Sequence, residues 1–172
     1  YDPDSTMPRD KCTWEPPGPC PTYSFGAATA EVEVDRETGE VKLLEIACAS
    51  DCGLAINPSA AEGQIEGDIQ HGAGYTLTEG LLYDDVGRPL NPRLTDYKIL
   101  DAADMPRIKP ILVETLDPKG PFGAKGVSQL ALAASAAAIA NAVCDAVGVR
   151  IRDAPITPER IVEALAQKRD KD

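Results

Sequence analysis

The stretch AEVEVDRETGEV, residues 30–41, decides the fold class of this 172-residue chain. Its first five residues alternate apolar and polar side chains, a pattern typical of a strand with one buried face. Residues 35–40 have the composition of a turn, and residues 41–49 form a second strand-like run. The stretch therefore predicts a β-hairpin, so the domain contains a sheet as well as helices.

A long helix is predicted after the hairpin. Asn57 followed by Pro58 is typical of an N-cap and a first helical residue, and Ile65 and Ile69 then share one face. This helix includes Gly63, Gly67, Gly72 and Gly74. Each glycine inside a helix costs about 1 kcal/mol relative to alanine. Close approach of a ligand and tight packing on a neighbouring element both explain the glycines, and spacing alone does not choose between them.

The second half begins with a loop-rich region at residues 80–110, where glycine, proline and asparagine turn signals recur. Residues 111–116 are predicted to form a strand. The run GPFGAKG at residues 120–126 is a glycine-rich loop, and Ser128 is placed to cap the helix that follows.

That helix, residues 129–147, is rich in alanine, and Asp145 is its one charged residue. A helix that is apolar on nearly all sides is expected to be buried. Its length approaches that of a membrane span. We do not predict a membrane helix, because Ser135, Asn141 and Asp145 interrupt it and alanine is only weakly lipophilic.

A last helix begins at Thr157-Pro158, again a cap followed by proline. The predicted fold class is α+β: a mixed sheet with the β-hairpin, packed against two long helices and a short C-terminal helix. Six of the 15 prolines lie in residues 1–22, which are predicted to be an extended connector. The folded domain is then residues 23–172.

Composition limits the function classes. Hydrophobic residues make up 43% and charged residues 26% of the chain, as in globular proteins. The net charge of -11 argues against nucleic acid and anionic membranes as partners, since both attract a basic surface. Five cysteines and a polar start predict a cytoplasmic location.

The cysteines and the histidine give little sign of a metal site. Cys48 and Cys52 form a C-x3-C pair, whereas zinc sites use tighter pairs or several histidines, and His71 is the one histidine. Buried or loop thiols are the favoured interpretation. A lone histidine is also more often structural than an acid or base.

Two segments could hold a ligand. The loop at residues 120–126 leads into a helix N-terminus, whose free N–H groups and dipole suit an anion. Gln64 carries a donor and an acceptor and could bind the edge of a polar heterocycle. Each has an ordinary alternative: glycine used for turn geometry, and a surface glutamine.

Several motifs follow one another along the chain: PTYSFG at 21–26, DCG at 51–53, AINP at 55–58, EGQIEG at 62–67, GAGY at 72–75, LTE at 77–79, DYK at 96–98, GPFGAKGV at 120–127 and TPER at 157–160. Together they resemble the molybdopterin-binding large subunit of the xanthine dehydrogenase/aldehyde oxidase family. The resemblance covers residues 21–167 but only the C-terminal part of that subunit. It implies a fragment or one part of a split subunit.

The resemblance implies an oxidoreductase that hydroxylates an aldehyde or N-heterocycle carbon with oxygen from water, active only within a larger complex. The implied cofactor is molybdopterin or its cytosine dinucleotide form. The implied partners are the remaining part of the molybdopterin subunit, iron–sulfur and FAD domains or subunits, and a small-molecule substrate. The cofactor-binding residues implied by position are Gly63, Gln64, Gly67, Gly72, Lys125, Gly126, Val127 and Ser128, with no direct metal ligand.

Gln129 departs from the family pattern, which has the catalytic base, a glutamate, in a Gly-Val-Gly-Glu run. This chain has Gly-Val-Ser-Gln at residues 126–129. A glutamine amide cannot accept a proton at neutral pH, and a positioned base contributes about 10²–10⁴ in rate. Asp68 and His71 are smaller departures, at positions where glycine and glutamine are common.

Three hypotheses follow. The first is a molybdenum hydroxylase subunit that is slow, inactive or served by another base. The second is a non-catalytic relative kept for assembly or binding. The third, a cysteine-based redox or zinc protein, predicts zinc or thiol reactivity at Cys48 and Cys52, and the resemblance disfavours it.

Overall fold

The fold begins with the predicted hairpin. In the computed structural model, which describes residues 23–169, strand β1 (Gly26–Val34) pairs antiparallel with β2 (Val41–Asp51). Asp35 fixes the turn, because its Oδ1 accepts hydrogen bonds from the N–H groups of Glu37 at 2.8 Å and Thr38 at 3.2 Å. The hairpin prediction is confirmed. The connector predicted for residues 1–22 lies outside the described residues.

A third strand extends the sheet on the far side of β2. Strand β3 (Arg107–Val113) runs parallel to β2, so the order is β1-β2-β3 and the sheet is mixed. The strand predicted at residues 111–116 is wrong in its bounds, since it starts at Arg107 and ends at Val113. Pro110 made the earlier start of this strand hard to predict from the sequence. Proline lacks an N–H and is accepted mainly in edge strands, which is the place of β3 in the described sheet.

Three helices complete the described residues: α1 (Pro58–Leu77), α2 (Leu130–Val147) and α3 (Pro158–Arg169), with a single 3-10 turn at Pro121–Gly123. They confirm the α+β class and the two long helices with a shorter last one. Both proline starts are confirmed. Asn57 Oδ1 accepts a hydrogen bond from the N–H of Ala60 at 3.1 Å.

The core lies between one face of the sheet and the helices. Alternate side chains of β2 point into it, and Ile46, Cys48 and Ser50 are fully buried. The helices contribute Ile65, Ile69, Ile139, Val143 and Ile161, each at most 1% exposed. Full burial of such a side chain stabilises the fold by about 1.5–3 kcal/mol, so these few residues hold the layers together.

Helices α1 and α2 pack closely at Gly72. A Cβ atom at Gly72 would lie 2.7 Å from the carbonyl oxygen of Leu132 and would also overlap Ser135 Oγ. By contrast, Gly63 and Gly67 have no atom within 4 Å of a built Cβ. The two explanations offered for the glycines therefore divide between positions: Gly72 serves packing, while Gly63 and Gly67 face outward.

Helix α2 corrects two expectations. Ser128 does not cap it; Gln129 is the N-cap residue, in the left-handed conformation with φ 69°, and no side chain forms a capping hydrogen bond. The helix is also not buried on all sides, because its buried residues form one stripe: Ala131, Ser135, Ile139, Val143 and Val147. By length and composition alone α2 could cross a membrane. In the described structure it packs against β1 and α1.

The contact between α1 and α2 can be tested with matched glycine variants. Gly72→Ala is expected to lower the free energy of unfolding by about 1–3 kcal/mol, because the new methyl group overlaps α2. Gly67→Ala makes the same change in open space and is expected to raise it by up to about 1 kcal/mol. Urea unfolding followed by circular dichroism measures both. Equal stability of the two variants would contradict the packing role of Gly72.

Candidate functional site

A small cavity lies where the first turns of α1 meet the loop before α2. Its volume is about 210 Å³. It is lined by Cys52, Leu54, Ala55, Ile56, Asn57, Ala60, Ala61, Gln64, Ala124, Lys125 and Val127. The cavity thus joins the two segments that the sequence singled out, the Gln64 turn and the glycine-rich loop.

The N-terminus of helix α1 borders this cavity. Asn57 and Ala60, at the start of α1, line it directly, and Val127 lies three residues before α2 begins. The first N–H groups of a helix have no acceptor within the helix, and its dipole makes this end partly positive. The cavity therefore lies in a region that favours negative charge, although the chain as a whole carries a net charge of -11.

Backbone contacts hold the glycine-rich loop against the end of β2. The N–H of Lys125 donates to the carbonyl oxygen of Cys52 at 2.8 Å, and that of Leu54 donates to the carbonyl oxygen of Gly123 at 2.9 Å. Gly53 makes this approach possible. Its φ is 63°, and a Cβ there would lie 2.8 Å from the nitrogen of Lys125.

A buried ion pair adds to these contacts. Lys125 Nζ lies 2.6 Å from Asp51 Oδ2, with side chains only 10% and 4% exposed. The ammonium also donates to Thr115 Oγ1 at 2.8 Å and to the carbonyl oxygen of Tyr23 at 3.3 Å. Asp51 Oδ1 accepts from Thr115 Oγ1 at 2.7 Å and from the N–H of Gly53 at 3.1 Å. The ends of β2 and β3 are thereby tied to the loop.

This environment keeps Asp51 ionised. Burial alone would raise the pKa of its carboxyl group. The hydrogen bonds from Lys125, Thr115 and the N–H of Gly53 outweigh burial and lower the pKa from 3.8 to about 2. The ion pair is therefore intact throughout the neutral and mildly acidic range.

The structure brings together only some of the residues that the resemblance implies for cofactor binding. Gln64, Lys125 and Val127 line the cavity. Gly126 adjoins them, and its carbonyl oxygen accepts a hydrogen bond from Ser24 Oγ at 3.3 Å. Ser128 is exposed between Val127 and α2. For these residues the cofactor role stays a prediction, now with a common location.

The glycines of α1 are divided. Gly63 and Gly67 lie exposed on either side of Gln64, within one turn of it, so a ligand or another part of the protein can approach the helix backbone there. Gly72 lies buried against α2 and does not line the cavity. Its absent side chain is explained by helix packing, and its position gives no support to a cofactor contact.

Gln129, at the position of the expected base, has an unusual backbone conformation. Its φ of 69° is rare for a residue other than glycine, and its side chain is exposed. Such conformations cost of order 1–3 kcal/mol and are concentrated at functional sites. The strain points to a constraint on this position other than helix capping, since no capping hydrogen bond is formed.

Sequence reasoning missed Asp51 and Thr115 as residues that shape the site. Asp51 belongs to a recognised motif, but its partner Lys125 lies 74 residues away along the chain. Thr115 carries no signal, because it fell in a segment expected to be strand. Nothing in the local pattern of either residue announces a buried ion pair.

The remaining candidates do not form a site among the described residues. Burial raises the pKa of the Cys48 and Cys52 thiols, so they stay protonated and are weak nucleophiles. No group of three or more potential metal-ligating side chains occurs between residues 23 and 169. His71 is exposed on α1.

A larger cavity, of about 750 Å³, lies along α3 and includes Arg160 and Lys168. It is next to the C-terminal end of α2, roughly 27 Å from the loop by helix length. Three of its four cations bond within the domain: Arg160 Nη1 donates to the carbonyl oxygen of Pro155 at 2.6 Å, Lys168 Nζ to that of Gly148 at 3.2 Å, and Arg150 Nη1 to Asn141 Oδ1 at 3.0 Å. None of the predicted cofactor-binding residues lines this cavity, so the smaller cavity is the better candidate site.

The ion pair predicts a specific dependence of stability on pH. The pKa of Asp51 is about 2 in the folded state and 3.8 in the unfolded chain. Ionised Asp51 therefore stabilises the folded state fully above pH 3.8, and this stabilisation is lost as the pH falls towards 2. Urea unfolding across this window is expected to show it. Asp51→Asn should be less stable at neutral pH and show a shallower decline in acid; an unchanged decline would contradict the assignment.

Comparisons with known proteins point to a family. A family profile described as "Molybdopterin cofactor-binding domain" matches residues 5–106. The chain is 40% identical over 144 residues to a probable hypoxanthine oxidase, XdhD, of Escherichia coli strain K12, covering 83% of this chain and 15% of that protein. It is 37% identical over 144 residues to PaoC, the molybdenum-binding subunit of an aldehyde oxidoreductase of the same strain, covering 83% and 20%.

Solved structures show the same relationship. Quinoline 2-oxidoreductase from Pseudomonas putida 86 superposes with a TM-score of 0.75 at 39% identity, covering 79% of this chain and 18% of that one. The chain thus spans about a fifth or less of the length of these relatives. It belongs to the molybdopterin cofactor-binding domain family and corresponds to part of the molybdenum-binding large subunit of the xanthine dehydrogenase/aldehyde oxidase type.

Proposed function

We propose that this chain forms one wall of the molybdopterin site of a molybdenum hydroxylase. The observation that carries the proposal is that the α1 N-terminus, Gln64 and the loop before α2 line one cavity. A pterin with a phosphate group needs a partner for its polar ring edge and a positive environment for its phosphate. Gln64 supplies the first, and the N-terminus of α1 supplies the second.

The size of the cavity fits a partial site. Pockets that enclose a ligand of drug size measure about 300–1,000 Å³. At about 210 Å³, this cavity holds an edge of such a cofactor and leaves the rest to other parts of the protein. The bare backbone at Gly63 and Gly67 is open on the same helix, as close approach from outside requires.

The residues that would hold the cofactor are Gln64, by its amide, and residues 126–128, by their backbone. Lys125 is unsuited to contact a phosphate, because its three ammonium hydrogens are directed at Asp51, Thr115 and Tyr23. When bound, the molybdenum cofactor supplies the oxidation–reduction chemistry of hydroxylation. The chain itself binds and orients one side of it.

The activity and partners proposed follow from the relatives. Their names describe a hypoxanthine oxidase, xanthine dehydrogenases and aldehyde oxidoreductases. We extend this to a substrate that is an aldehyde or an N-heterocycle, hydroxylated with oxygen from water. The rest of the molybdopterin subunit and iron–sulfur and FAD domains or subunits complete the enzyme, and the isolated chain is inactive.

Gln129 decides between a catalytic and a non-catalytic role. A glutamate at this position could accept a proton, whereas the Gln129 amide only donates and accepts hydrogen bonds. Its exposed side chain and strained backbone favour a retained site geometry without the base. The second candidate function, a non-catalytic relative that keeps the fold for assembly or binding, rests on this one residue.

The binding role of Gln64 is testable in the complete complex. Gln64→Ala is expected to lower the pterin and molybdenum content about tenfold, because the cofactor edge loses a polar partner. Helix α1 is expected to stay folded, since alanine has a high helix propensity. Pterin fluorescence after oxidative release and metal analysis measure it. Gln167→Ala, on α3 away from this cavity, is the control. Equal loss in both variants, or none in Gln64→Ala, would count against the site.

The role of position 129 is tested by restoring the acid. In the complete complex, Gln129→Glu is expected to raise turnover of aldehyde or purine substrates by about 10²–10⁴, the range typical of a positioned base. Gln129→Asn keeps an amide and serves as the control. If the complex contains molybdenum and Gln129→Glu does not raise its activity, this explanation is wrong. A folded complex that contains no molybdenum would favour the non-catalytic relative.

A further inference from the structure

In the ion pair of Asp51 and Lys125, unlike in ordinary surface pairs, every N–H group of the lysine ammonium donates a hydrogen bond within the protein. A lysine ammonium has three N–H groups. Here they are directed at Asp51 Oδ2 at 2.6 Å, Thr115 Oγ1 at 2.8 Å and the carbonyl oxygen of Tyr23 at 3.3 Å. The Lys125 side chain is 10% exposed, so no donor remains for a ligand in the cavity.

Thr115 completes the cluster. Its hydroxyl group accepts from Lys125 and donates to Asp51 Oδ1 at 2.7 Å, so it bridges the two charges. Asp51 ends β2, and Thr115 lies just beyond β3. The side chain of Lys125 is therefore anchored to the ends of two neighbouring strands.

The anchor acts on the cavity through the backbone. The N–H of Lys125 donates a hydrogen bond to the carbonyl oxygen of Cys52. On one side of Lys125, Ala124 lines the cavity; on the other side, Gly126 leads to Val127, which also lines it. A lysine held at both its main chain and its ammonium restricts the residues next to it in the loop. The position of Val127 relative to Gln64 thus depends on a cluster that lies beside the cavity.

We propose that Asp51 and Thr115 are positioning residues for the cofactor site: they hold the Lys125 ammonium, and Lys125 in turn fixes the loop at residues 124–128 against α1. Lys125 is then itself a positioning residue and not a ligand of the cofactor. This inference rests on the function proposed above. It extends that function by assigning roles to two residues outside the resemblance-based set and by changing the role of a third.

The test uses Thr115 in the complete complex, because this residue is exposed and its replacement does not disturb the core. Thr115→Val keeps the shape and removes the bridging hydroxyl group, whereas Thr115→Ser keeps the hydroxyl group. Residues that support the direct ligands of a bound metal typically change metal affinity by about 10–100-fold when lost, and we take this range as a guide. We expect the pterin and molybdenum content of the Thr115→Val complex to be lower by about tenfold or more. The Thr115→Ser complex is expected to match the unmodified complex.

Hydrogen exchange provides a second readout that does not need the cofactor. Amide exchange in residues 124–128 is expected to be at least about tenfold faster in Thr115→Val than in Thr115→Ser, with α1 and the strands unchanged. A paired variant, Asp51→Asn with Lys125→Met, removes both charges without leaving one buried alone. It should fold, exchange fast in the same loop and retain little pterin.

The outcomes of these experiments distinguish failure of the inference from failure of the proposed function. Thr115→Val with unchanged pterin content and unchanged exchange would overturn the inference, as would equal losses in Thr115→Val and Thr115→Ser, which would indicate packing and not the hydroxyl group. Unmodified complex that contains no pterin would overturn the proposed function instead. In that case faster loop exchange in Thr115→Val still supports the anchor, and unchanged exchange refutes it.

Discussion

The close contact between α1 and α2 at Gly72 is the constraint on which the domain depends. With no side chain at Gly72, the backbone of α1 reaches Leu132 and Ser135 of α2, an approach that any larger residue would prevent. Eight residues before Gly72, Gln64 of α1 lines a cavity together with Val127, which lies three residues before α2. The cavity therefore forms between α1 and the loop before α2, about 12 Å along α1 from the contact at Gly72.

The sheet determines the other side of that cavity. Strand β2 is central, paired with β1 on one side and β3 on the other, so its end at Asp51 is held firmly. From there Gly53 lets the loop before α2 lie directly on the strand end, and Lys125 closes the arrangement through its buried ammonium. Helix packing and strand pairing thus position opposite walls of one small space.

Local patterns predicted much of the fold and part of the site. Alternation identified the hairpin, and a cap followed by proline identified the start of α1, because these signals depend on neighbours in sequence. Strand β3 was misplaced because Pro110 breaks the usual strand pattern, which an edge position tolerates. Motifs singled out Gln64 and the loop up to Val127, and in the structure both line one cavity. The pairing of Asp51 with Lys125 crosses 74 residues and is created by the sheet, so no local pattern contains it.

The α1 N-terminus at the cavity has a consequence for how the domain responds to its surroundings. Its positive character comes from peptide groups, which neither gain nor lose protons and cannot be acetylated. The lysine of the neighbouring loop is bound internally. The positive contribution to this surface is therefore set by secondary structure, and unwinding the first turn of α1 would remove it.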